Sequence, residues 1–144
     1  MKAYLDTTVL VAASMSAHPQ HPQCFQLLAA VKDGLMEACF SAHGLLEFYS
    51  VLTRAPFTPR VHPAQATLFL DENVLPFFEV VEVSTRDYKT ILATCSNAGL
   101  AGGMVYDALH LHCARKAECD RLYTLNVKHF RSMDSGYAAK IAAP

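Results

Sequence analysis

Short apolar runs alternate with longer segments of helical periodicity along the whole chain. The apolar runs have the length of buried strands, and they predict strands at residues 2–5, 39–41, 77–83 and 121–125, with a last short one within 138–142. The segments between them carry apolar residues at helical spacing and predict helices at residues 23–32, 44–54, 63–72, 85–97 and 104–116. Strands that alternate with helices favour a parallel sheet covered on both faces.

Local signals mark the ends of some of these elements. Ser84 and Asp87 have the spacing of a capping box, with Asp in the place of Glu, just ahead of the helix at 85–97. Residues 7–14 fit either a strand or a helix. A turn from strand to helix at Asp6 is the interpretation we adopt for that segment.

Three isolated acids, Asp6, Glu47 and Asp107, stand inside otherwise apolar segments. Burying an unpartnered carboxylate is costly, so acids are seldom fully buried unless they are paired or bind a metal. Asp6 follows the first predicted strand, and sites in open parallel sheets form beyond the carboxyl ends of strands. Asp107 and Glu47 fall near the starts of their helices, where the helix dipole favours a carboxylate. Because like charges repel at close range, the three acids together predict a bound cation.

Oxygen ligands favour Mg²⁺ or Mn²⁺ over zinc, and an acid-lined Mg²⁺ site suits phosphoryl chemistry. Asn126 follows the strand at 121–125 and should reach the same end of the sheet. Its amide is expected either to supply a neutral oxygen or to hold a metal-bound water. Thr7 and Thr8, beside Asp6, are expected either to orient the Asp6 carboxylate or to contact substrate.

Composition describes a single compact domain spanning residues 1–144. The chain is 52% hydrophobic and 17% charged, which excludes a disordered protein. No apolar run reaches the length of a membrane span, and the acid at position six interrupts any signal-peptide core. Five scattered cysteines without CxxC spacing indicate reduced thiols, and we expect a cytoplasmic protein.

The net charge of −1 counts against tight non-specific binding of nucleic acid. The charge is uneven, however. Residues 115–131, which include Lys128, hold five basic residues against two acidic ones. That segment is either a phosphate-binding surface or a solvated one.

The residues around the acids resemble the motifs of the PIN-domain ribonucleases, in order and at the usual spacing. Residues 4–10 and 46–54 resemble the first two motifs, residues 102–110 the third, and residues 124–130 the fourth. The resemblance covers nearly the whole chain. Its overall pattern is similar to that of the single-domain VapC toxins of prokaryotic toxin–antitoxin pairs.

This resemblance implies a three-layer α/β/α sandwich with a mainly parallel sheet of four or five strands. It also implies Mg²⁺-dependent endonuclease cleavage of RNA, with Mn²⁺ as a substitute, a homodimer, and inhibition by a VapB-type antitoxin. Asp6, Glu47 and Asp107 correspond to the metal-binding acids, and Asn126 would complete the catalytic set. Polar and basic neighbours of the motifs are the expected substrate-binding residues: Thr7, Thr8, Arg54 and Lys128.

The chain departs from the family pattern in the fourth motif. Many members carry an acid where Asn126 or His129 stands, and this chain has neither acid. Asp134 is a candidate for a late acid. Three acids should hold a metal less tightly than four, so the alternative function is a degenerate PIN domain that binds RNA or a protein without cleavage.

Two other interpretations have weaker support. A phosphotransferase or phosphatase with Asp6 as nucleophile would commonly need a second Asp two residues later, where Thr8 stands. His110, His112 and Cys113 do not make a convincing zinc site, because neighbouring residues on a helix do not converge on one side. We expect His110, one turn beyond Asp107, to be a hydrogen-bonded histidine near the site.

Overall fold

Five parallel strands form the sheet, in a computed structural model that describes residues 1–144. They are β1 (Lys2–Leu5), β2 (Glu37–Ser41), β3 (Phe78–Val81), β4 (Arg121–Tyr123) and β5 (Ile141–Ala142). The spatial order is β3-β2-β1-β4-β5, and every pairing is parallel. The strand order therefore reverses between β1 and β4, and ligand sites of open parallel sheets form at such a reversal, beyond the carboxyl ends of the strands.

Seven α-helices and one short 3₁₀ turn connect these strands. The helices are α1 (Thr7–Ser14), α2 (His21–Lys32), α3 (Ala42–Arg54), α4 (Pro63–Asn73), α5 (Thr85–Ala98), α6 (Met104–Lys116) and α7 (Val127–Met133), and the 3₁₀ turn is Ala138–Lys140. The ambiguous segment 7–14 is helical. The five predicted helices are all present, with ends within two residues of the prediction. Helix α7 was not predicted.

The strand predictions were right in position and less accurate in length. The strand predicted at 121–125 ends at Tyr123, because Thr124 and Leu125 turn towards Asp6 and Thr8 and bond to their side chains. The strand predicted at 77–83 is also shorter, and the one at 39–41 begins earlier, at Glu37.

Two apolar cores lie on opposite faces of the sheet, as the alternation of side chains along a strand requires. Ala3 and Leu5 of β1 join the core beneath α1, α2, α3 and α4, whereas Tyr4 joins the core beneath α5, α6 and α7. This three-layer arrangement confirms the predicted α/β/α fold. The order of the chain explains it, because the first four helices cover one face and the last three cover the other.

Several predictions from composition can be compared with this architecture. All five cysteines are buried and free of disulfides, as expected for reduced thiols. None of the helices combines the length and the apolar character that a membrane crossing needs. Among the apolar side chains of α3, Phe48 and Leu52 lie in the core, whereas Tyr49 is exposed.

The start of α3 is fixed by a cap and a close contact. The Ser41 hydroxyl accepts a hydrogen bond of 2.8 Å from the Gly44 amide. Gly44 lies so close to Phe40 that an added Cβ would be 2.6 Å from the ring. These two contacts set the position of the helix that carries Glu47.

Candidate active site

Asp6 is a carboxylate buried at the centre of the sheet edge, only 2% exposed. Its Oδ1 accepts hydrogen bonds from the Thr8 hydroxyl at 2.6 Å and from the Val9 amide at 3.1 Å, which makes it the N-cap of α1. Its Oδ2 accepts a 2.6 Å bond from the Thr124 hydroxyl. Burial raises the pKa of the Asp6 carboxyl, although the charge of His110 and these hydrogen bonds act in the opposite direction.

Glu47 is held by a buried histidine. Its Oε2 lies 3.0 Å from His110 Nε2, and His110 Nδ1 lies 2.7 Å from the Tyr4 hydroxyl. His110 is 1% exposed. Burial would lower the pKa of His110, but its hydrogen bond to Glu47 and the surrounding acids raise it. Burial would likewise raise the pKa of Glu47, but the hydrogen bond and charge of His110 lower it overall.

Asp107 lies in the first turn of α6, as predicted, and is paired with His129. Its Oδ2 is 2.9 Å from His129 Nε2. Burial raises the pKa of Asp107, and the negative charges of Asp6 and Glu47 raise it further, while His129 and His110 oppose the rise. The three acids therefore influence one another electrostatically, as carboxylates gathered at one edge of the sheet should.

Two open clefts are lined by Glu47 and by His129, the partner of Asp107. One, of about 450 Å³, is lined by Glu47 and Arg54 together with His43 and Tyr106. The other, of about 470 Å³, is lined by Asn126, Lys128 and His129. Arg54 therefore shares a cleft with Glu47, and Lys128 shares one with Asn126. Arg60 lines a separate cleft on the far side of α3.

The other predicted site residues, Thr7, Thr8 and Asn126, have different surroundings. Thr8 orients the Asp6 carboxylate, which is the first of its two expected roles. Thr7 is buried, and its hydroxyl lies 3.4 Å from His110 Nε2. The backbone amide of Asn126 donates to the Thr124 hydroxyl, and its side chain is free at the N-terminus of α7.

The structure also corrects one expectation and adds three residues. Asp134, the candidate late acid, is paired with Arg115 and lines a cleft that contains none of the three acids. Thr124, Tyr4 and His129 contact the acids or their partners, and we did not predict their roles. Each pairs with a residue far away in the chain, so no local spacing indicates the contact.

The donor set has the chemistry of a hard-cation site, since Asp6, Glu47 and Asp107 offer only oxygen atoms. As the side chains stand, no group of three or more His, Cys, Asp or Glu residues surrounds a single point closely enough to hold a metal ion. His110 contacts Glu47 Oε2 and His129 contacts Asp107 Oδ2, so a cation at either of these oxygens would compete with a histidine.

Comparison with known proteins agrees with this architecture. The family described as PIN domain matches residues 3–135. Ribonuclease VapC27 of Mycobacterium tuberculosis is 31% identical over 105 residues, which is 73% of this chain and 71% of that protein.

Solved structures show the same fold. Mycobacterium tuberculosis VapC20, a toxin that cleaves the sarcin–ricin loop, superposes with a TM-score of 0.72 at 15% identity, over 90% of this chain and 94% of that one. VapBC2 from Rickettsia felis, solved with a promoter DNA fragment, gives a TM-score of 0.64 at 18% identity, over 100% and 99% of the two chains. The chain therefore belongs to the PIN-domain family and is of the VapC ribonuclease type.

Proposed function

We propose that this chain is a Mg²⁺-dependent endoribonuclease that acts in the cytoplasm as the toxin of a VapBC-type pair. Residues 1–144 would work as one PIN domain, and Mn²⁺ would substitute for Mg²⁺. The observation that carries the proposal is the environment of Asp6. This carboxylate is buried, yet all its hydrogen-bond donors are neutral groups. A cation bound at the same edge of the sheet would add a positive charge to that of His110, which already acts on this carboxylate.

The three acids would hold the cation, with Asn126 supporting the site through its amide. When bound, the cation stabilises charge on a phosphate oxygen and lowers the pKa of the attacking water. The contact with His110 lowers the pKa of Glu47 against the effect of burial, and the Glu47 carboxylate would accept a hydrogen bond from that water. His110 and His129 contact Glu47 Oε2 and Asp107 Oδ2, so Glu47 Oε1 and Asp107 Oδ1 are the oxygens that would bind the cation.

Phosphate contacts would come from the two clefts. Arg54 and Lys128 are exposed, one in each cleft, so they can meet phosphates on either side of the cleaved bond. Thr8 contacts Asp6, so it would lie next to a substrate bound at that acid. These contacts are few, and the net charge of −1 agrees with a nuclease that binds a limited stretch of RNA.

The proposed partners are a VapB-type antitoxin and a second copy of this chain. The similarity to a VapBC2 complex supports an antitoxin partner for this fold. Co-expression with the reading frame next to its own gene, followed by size-exclusion chromatography with light scattering, would test both assemblies. A monomeric chain that captures no neighbouring product would contradict this part of the proposal.

Cleavage of total RNA tests the chemistry. Purified protein should cut RNA with Mg²⁺ or Mn²⁺ and stop in EDTA, and Asp6→Asn and Asp107→Asn should remove activity. Asp71→Asn, at an exposed position on α4, is the matched control. Calorimetry with Mn²⁺ separates the alternatives, because a chain that binds no Mn²⁺ and cuts no RNA would be the non-cleaving PIN domain.

A further inference from the structure

A stacked pair of rings joins the two helices that carry Glu47 and Asp107. His43 of α3 and Tyr106 of α6 lie with ring centroids 5.5 Å apart and planes inclined by 13°. Tyr106 directly precedes Asp107, and His43 lies one helical turn before Glu47. The charge of His43 also contributes to lowering the pKa of Glu47, which places the ring close to that acid.

Tyr106 is 47% exposed and directly precedes Asp107. His43 is fixed from another side by the edge of Tyr88, with ring centroids 6.4 Å apart and planes at 78°. The pair is therefore held in place by its neighbours, while one side of Tyr106 faces the 450 Å³ cleft. A rigid, exposed ring offers a surface on which another flat ring can stack.

The same cleft contains a free positive charge. Arg54 lines it and forms none of the ion pairs of the protein. An exposed aromatic ring and an unpaired cation in the cleft that Glu47 lines suit a nucleotide, whose base stacks and whose phosphate binds the guanidinium. Leu46 and Val51 also line the cleft, but Glu47 and Ser50 interrupt its apolar surface, which favours a nucleotide over an apolar protein segment.

We propose that Tyr106, backed by His43, is a stacking platform for an unpaired nucleobase of the RNA next to the cleaved phosphodiester. This inference rests on the proposed nuclease function and adds a substrate property to it. RNA bases are available for stacking only where they are unpaired, so the platform selects single-stranded loops or linear segments over duplex. Arg54 would hold the neighbouring phosphate.

The test uses a short single-stranded oligoribonucleotide that spans one mapped cleavage site in total RNA. Tyr106→Leu keeps apolar volume and loses the ring, and Tyr106→Phe keeps the ring. Tyr49→Leu is the control, because Tyr49 is also an exposed tyrosine, on α3, but it has no ring partner. We expect Tyr106→Leu to raise KM about tenfold with little change in kcat, and Tyr106→Phe and Tyr49→Leu to match the wild type.

Abasic substitution identifies the base. Removing the base that stacks should raise KM about tenfold for the wild type and have no further effect on Tyr106→Leu, because the two changes remove one contact. If no abasic position interacts with Tyr106→Leu, the inference is overturned while the nuclease function stands. It is equally overturned if Tyr106→Leu cuts RNA normally and instead loses binding to the antitoxin. Absence of cleavage by the wild type would refute the function itself.

Discussion

The Thr124 hydroxyl donates a hydrogen bond of 2.6 Å to Asp6 Oδ2 and accepts one of 3.0 Å from the Asn126 amide. This single hydroxyl connects the end of β1 to the end of β4, the two strands between which the order of the sheet reverses. Together with the bonds from Thr8 and Val9 to Oδ1, it holds the orientation of the Asp6 carboxylate. The geometry of the acid therefore depends on a residue that cannot bind a metal strongly itself.

Replacing Thr124 tests this connection. Thr124→Val keeps the shape and removes the donor, so the Asp6 carboxylate loses its only hydrogen bond at Oδ2, and with it a contact that opposes the rise in its pKa. Since residues that orient metal ligands typically contribute tenfold or more, we expect Mn²⁺ affinity to fall about tenfold. Calorimetry measures this, with Thr124→Ser as the control that keeps the hydroxyl. Equal affinity in Thr124→Val and the wild type would contradict the role.

The buried chain of contacts from Tyr4 through His110 to Glu47 should contribute to stability. Tyr4→Phe leaves His110 Nδ1 without a partner, and an unsatisfied buried polar group costs about 1–3 kcal/mol. Urea unfolding measures the loss in the free energy of unfolding. Tyr123→Phe is the matched control, because the Tyr123 hydroxyl forms no hydrogen bond with a side chain, and a similar loss there would argue against a special role for the Tyr4 contact.

His129 occupies a position where many PIN domains carry an acid, and it touches Asp107. His129→Asp would place a fourth carboxylate beside Asp107 and remove the imidazole that contacts it. More negative charge around the site should tighten Mn²⁺ binding on the order of tenfold. His129→Asn removes the ring without adding charge. If calorimetry finds equal Mn²⁺ affinity in these two variants, charge at this position does not affect metal binding.

Replacing Gly44 tests how closely α3 must approach the sheet. A Cβ there would lie 2.6 Å from the Phe40 ring, so Gly44→Ala forces the helix outward. Overpacking of this kind typically costs about 1–3 kcal/mol in the free energy of unfolding, and here it also shifts Glu47. Gly103→Ala is the control, because nothing lies within 4 Å of its added Cβ. A thermal melt in which both variants match the wild type would contradict the contact.

Asp87 should make stability depend on pH. Lys116 lowers its pKa most strongly, helped by the Ser84 amide and by His112. A lowered pKa means that Asp87 binds a proton less readily in the folded protein than in the unfolded chain. The ionised form of Asp87 therefore stabilises the fold above about pH 4, and this stabilisation is lost as the pH falls towards the pKa of the folded state. We expect Asp87→Asn to lose about 1 kcal/mol at neutral pH. The gap to the wild type in urea unfolding should close in acid, and a gap that stays constant with pH would rule out this cause.

The sequence by itself determined the fold class and the acids. Strands and helices were readable because each strand is a short apolar run and each long helix repeats its apolar positions every three or four residues. Asp6 and Asp107 were recognisable because acids are rare after a buried strand and stable in the first turn of a helix. Helix α7 was missed because seven residues are too few to show a period, and it depends on packing of Phe130 in the core.

Only the tertiary structure decided what holds those acids. Thr124 and Asp6 are 118 positions apart, and His110 and Glu47 are 63 apart. Spacing along a helix or strand carries information about near neighbours alone. Contacts between distant residues depend on strand order and on which helix covers which face. The sequence therefore identified the charges of this site, and folding determined their partners, their orientation and the aromatic pair beside them.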